Sequence, residues 1–157
     1  MRRFDVVWLV GLALRLSLAA AFLSAVADRF GWLGPIGPGP LGTIAWGGMG
    51  PFTDYTHQLV PFASGVLLAV IAWTASLAEL ILGLLLLIGW WPRLVGVASC
   101  VLLAVFAIAM TTALGIKAPL AYSVFTAASA AAAYAVLAGP ALSPVTSTPS
   151  VDTDPGH

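Results

Sequence analysis

Two residues could do chemistry inside an otherwise apolar chain, Arg15 and Glu79. Glu79 is the only charge in the run from Leu67 to Ile88. A carboxylate near the centre of such a run costs roughly 2.5–3.5 kcal/mol on insertion scales, so it faces a partner, a bundle interior or a water-filled cavity. It therefore asks for a cation at the same depth, and the first apolar segment offers Arg15. Arg15 lies ten positions after Asp5, and Glu79 lies ten before Gly89. Each is then about 15 Å in from its end, near the middle of a hydrocarbon core about 30 Å thick. If Asp5 and Gly89 share a membrane face, the two charges meet at one level. Gly11, Arg15 and Ala19 fall on one helical face, as do Ala72, Ser76, Glu79 and Gly83. Small residues beside each charge allow close helix approach. The expectation is a buried Arg15–Glu79 pair. Its favoured role is a lock on helix packing; a charged site for a ligand or proton is the alternative, because structural ion pairs perturb charges as functional ones do.

The elements that must carry these charges follow from composition. The chain is 157 residues, 61% hydrophobic and only 8% charged, against about 25% charged in an ordinary soluble domain. This makes it an all-α integral membrane protein, predicted as a four-helix bundle over residues 1–138. Spans are expected at 5–27, 63–89, 94–114 and 119–138, each near the length a bilayer requires. Residues 139–157 are rich in Ser, Thr and Pro and read as a disordered tail. The start imitates a secretory signal with a small-residue cleavage site, but Asp5, Arg15 and the length of the run assign it to an uncleaved first span. Net charge is zero and there is no basic run, which argues against a nucleic-acid partner. The lipid bilayer is the partner that composition demands. Cys100 is the only cysteine, so a two-cysteine redox centre within this chain is excluded.

The one long connection runs from Asp28 to Pro61. Between Gly31 and Pro51 it carries eight glycines and four prolines, which oppose a regular helix. Its aromatics, Phe30, Trp32, Trp46, Phe52 and Tyr55, suggest that it lies on the membrane surface or folds over the bundle mouth. Thr53 is expected to cap a short helix from Asp54 towards Val60. Asp54 and His57 would share a face there, but two ligands are too few for a metal site. Asp28, Arg29, Lys117 and Tyr122 are the candidates for the pocket mouth. Lys117 reads equally as a snorkelling anchor. Arg2, Arg3 and Arg93 on one side against Arg29 and Lys117 on the other place both termini in the cytoplasm.

Several of these features together resemble the DoxX family of small bacterial membrane proteins. They are an early intramembrane arginine, the glycine- and aromatic-rich first loop, and Glu79 before Leu80-Ile81-Leu82-Gly83-Leu84-Leu85-Leu86-Leu87. Arg93 after the turn, and Gly115-Ile116-Lys117-Ala118-Pro119-Leu120 with Tyr122-Ser123-Val124-Phe125, complete the pattern. The likeness covers about Phe4 to Leu137, and the 115–125 junction is its most specific part. The resemblance implies a bacterial inner-membrane location and an accessory or scaffolding place in a quinone-linked redox or oxidative-stress system. It points to Arg15, Glu79, Arg93, Lys117 and Tyr122, without a catalytic role for any of them. Quinone is the cofactor it suggests, and redox enzymes are the partners. Arg15 and Glu79 could then bind a quinone carbonyl or relay its protons, with Tyr122, Lys117 and Trp32 shaping the mouth. A small-solute or proton transporter and a purely structural partner-binding protein are the competing expectations, and a homo-oligomer is left open.

Overall fold

The computed structural model describes residues 3–33 and 46–138. Among these the chain is wholly helical: α1 (Arg3–Arg29), α2 (Met49–Leu59), α3 (Gly65–Ile88), α4 (Pro92–Leu114), α5 (Lys117–Ala121) and α6 (Val124–Leu137). Val6–Arg29, Gly65–Ile88 and Pro92–Leu114 are long and apolar enough to cross a membrane. The fourth expected span is broken. Ser123 takes a left-handed conformation at φ 54° between α5 and α6, so the segment from Lys117 to Leu137 is two helices. The 14 residues of α6 cover only about 21 Å.

The helix ends follow local chemistry. Gly31 has φ 72°, and the N–H groups of Gly31 and Trp32 donate to the carbonyls of Asp28 and Ala27. This six-to-one, five-to-two pattern is the glycine stop that ends α1 just past Arg29. Gly89, at φ 81°, closes α3 in the same region of conformational space. Pro92 then opens α4 at a position where its missing N–H costs nothing. The short helix expected from Asp54 begins earlier, at Met49. Thr53 is therefore inside α2, where its hydroxyl donates back to the Met49 carbonyl rather than capping.

α1 packs against α3 and α6, α4 against α6 and α3, and α2 against α3 and α4. The core is Leu18, Ala19, Phe22, Leu86, Val95, Leu103, Ala131 and Tyr134. Glycines set the closest approaches. A Cβ on Gly83 would stand 2.9 Å from Leu23 Cδ2, and one on Gly96 would stand 2.9 Å from the Ala135 Cα. On α3 the buried face is Ala72, Ser76, Glu79, Gly83 and Leu86. The exposed face carries Val66, Val70, Trp73, Leu77, Ile81, Leu84 and Ile88. Polar and small residues thus point inward and large apolar ones outward. That is the reverse of a water-soluble helix and suits a lipid surround.

Candidate functional site

The contact of Phe22 and Leu23 with Gly83 fixes how α1 lies on α3. Counting seven residues on from Phe22, and seven back from Gly83 because the helices are antiparallel, sets Arg29 level with Ser76. Counting the other way sets Arg15 level with the end of α3. The pair therefore differs from the one expected: Glu79 is bound by Arg29, and Arg15 lies against Gly89. The expectation placed Asp5 and Gly89 at one face. Instead the first turns of α1 project beyond the α3–α4 turn, and the register shifts by about three helical turns.

The Arg29–Glu79 cluster is closed. Arg29 is 6% exposed and Glu79 is 3% exposed. Nη2 donates to Oε1 at 3.1 Å. Nη1 makes an ion contact with Oε2 at 2.6 Å and donates to the Ser76 hydroxyl at 2.9 Å. Ser76 in turn donates to the Ala72 carbonyl, the usual back-bond of a mid-helix serine. The Phe52 ring lies 3.7 Å from the guanidinium carbon, sealing it with a cation–π contact. Beside it, the Asp28 carboxylate accepts from the Trp46 backbone N–H and pins the loop end to α1. Trp46 packs against Phe52 and Tyr55.

The four mouth candidates divide into two pairs. Asp28 and Arg29 are buried in this cluster. Lys117 and Tyr122 are exposed on α5 and at its end. Tyr122 stands near Tyr55, whose phenol is pushed up to about 12, mainly by burial and then by the Tyr122 charge. Asp54 and His57 are exposed on α2. Among the described residues no group of three or more His, Cys, Asp or Glu could hold a metal ion.

Arg15 belongs to a second site. Together with Trp8, Gly11, Gly89, Tyr134 and Leu137 it lines a pocket of about 120 Å³ between α1, the α3–α4 turn and α6. Its Nε is buried and has no hydrogen-bond partner among the described residues. No carboxylate pairs with it among those residues either. The sequence identified Arg15 but not its pocket, because the pocket depends on the register of α1. The sequence named Phe52 among aromatics on the membrane surface or over the bundle mouth, but not its contact with Arg29, which depends on the same register. Compared with known protein families, curated proteins and solved structures, the chain matches none.

Proposed function

We propose that this chain is a DoxX-like four-helix membrane scaffold of the bacterial inner membrane, with both termini cytoplasmic. In this reading it is an accessory subunit of a quinone-linked redox or oxidative-stress system and is not catalytic alone. The observation that carries the scaffold role is the burial of the Arg29–Glu79 cluster, in which Arg29 binds Glu79 and Ser76 beneath the Phe52 ring. A pair arranged in this way locks α1 and the α2 segment to α3. The redox setting rests on the resemblance of Glu79 with its leucine run and of Gly115–Phe125 to the DoxX pattern. The test is mild purification of the full chain from its native membrane, followed by assay of co-purifying quinone and oxidoreductase subunits. Enrichment of either over bulk membrane supports the reading. Enrichment of neither removes the redox setting and leaves the scaffold.

One observation favours a transporter as the second reading. α1 ends level with the middle of α3, and α2 packs along the half of α3 that α1 leaves. Transporters place substrate and ion sites where helix ends lie at such depth, although α1 itself is unbroken. Proton or solute flux in liposomes that is lost in Glu79→Gln would favour this alternative over the scaffold.

A further inference from the structure

At the α3–α4 turn a single guanidinium lines a largely apolar pocket that Tyr134 also borders. Arg15 Nη1 occupies the space a Cβ would need at Gly89, so one arm of the guanidinium lies against the C-terminus of α3. A cation there offsets the helix dipole, but that role leaves the buried Nε unused. The pocket, about 120 Å³, is larger than the roughly 10–15 Å³ that one water needs on the same measure. Its walls include Val7, Trp8, Leu12 and Leu137.

The surroundings set the depth. Trp8, Trp90 and Trp91 are exposed around this end, and tryptophans of this kind mark the headgroup level of a bilayer. Arg93, exposed in the first turn of α4, adds a second cation to the same face. Outward of the pocket, Val6, Val10 and Leu94 are exposed and apolar.

We infer that this pocket is a binding site for the headgroup of an anionic phospholipid. Arg15 holds the phosphate, and the apolar wall takes the glycerol and first acyl carbons. A planar, permanently charged guanidinium fits phosphate oxygens in a forked geometry. An apolar wall beside it selects an amphiphile over a free ion. The inference does not rest on the redox reading, since a lipid site would exist whatever enzyme the chain accompanies.

The test uses native mass spectrometry of the full chain with added phosphatidylglycerol or phosphatidylcholine. The wild type retains phosphatidylglycerol in preference, and Arg15→Gln loses about tenfold in retention. Gly11→Leu supplies a control on folding. A Cβ at Gly11 meets nothing within 4 Å, so the leucine fills the pocket while Arg15 stays, and it produces a similar loss. Equal retention by the wild type and Gly11→Leu overturns the proposal. Displacement of the lipid by equimolar inorganic phosphate also overturns it, and assigns the site to a soluble anion. A quinone retained in place of the lipid, and lost with Arg15→Gln, overturns it in favour of a redox ligand.

Discussion

Arg29→Met should unbalance the bundle far more than Arg15→Met. Glu79 is residue 15 of the 24 in α3, close to the middle of an apolar helix. Removing Arg29 strips both ion contacts from Oε1 and Oε2, the hydrogen bond to Ser76 and the Phe52 contact. The stranded carboxylate alone costs roughly 2.5–3.5 kcal/mol at mid-helix. Breaking one side of a buried pair costs about 3–5 kcal/mol in soluble proteins. In membranes the unfolded helices also find partners, which lowers such terms. A loss of about 3 kcal/mol is therefore expected, a factor of about 10² in the folded fraction. Arg15, partly exposed and without a carboxylate partner among the described residues, should cost under about 1 kcal/mol. The assay is reversible unfolding in mixed micelles, followed by tryptophan fluorescence and far-UV circular dichroism. The double variant Arg29→Met with Glu79→Leu should recover most of the loss, since apolar replacement of a buried pair is often neutral. Equal costs for Arg15→Met and Arg29→Met, or a double variant no better than Arg29→Met, would refute the assignment of the lock.

Three further outcomes follow from the packing. Gly96→Ala meets the Ala135 backbone and should cost about 1–3 kcal/mol, whereas Gly83→Ala meets the movable Leu23 side chain and should cost less; paired thermal melts compare them. Tyr55→Phe removes a buried hydroxyl with no partner among the described residues, so it should be neutral or stabilising in the same melts. The Tyr55 phenol, held near 12 against an ordinary 10.0, is protonated in the fold where an unfolded tyrosine ionises. The group leaves stability unchanged below about pH 10, and the fold loses stability as pH rises from there to about pH 12; spectrophotometric titration should lose that high-pH component in Tyr55→Phe.

Helix identity was largely legible because it follows from local pattern. Gly89 and Gly115 stop helices where expected, and the face of Ala72, Ser76, Glu79 and Gly83 turns inward as its spacing demands. Glu79 was identifiable by cost alone, since a charge in such a run requires a partner. Which arginine answers it was not legible. A long apolar helix such as α1 carries Arg3, Arg15 and Arg29, and its ends do not show where it stands against its neighbour. Register here depends on Gly83, which admits Phe22 and Leu23, and that fit is a property of two surfaces together. The glycine-rich loop concealed α2 for a related reason. Met49–Leu59 is a weak helix by composition and gains its order from packing on α3 and α4.

Arg15 and Arg29 of α1 show how burial divides one chemistry into two uses. Fourteen residues separate them, about 21 Å along the axis, which takes one from mid-α3 to the α3–α4 turn. At mid-α3 an unmatched guanidinium is too costly to keep, so Arg29 is sealed by Glu79, Ser76 and Phe52. Such a buried group is out of a ligand's reach unless the lock opens. At the interface the cost of a partly matched cation falls, and Arg15 lines a largely apolar pocket. A ligand site and a packing lock therefore cannot be exchanged between the two positions. The site that opens on a pocket is the one to load, and the site sealed by its neighbours is the one whose loss unfolds the bundle.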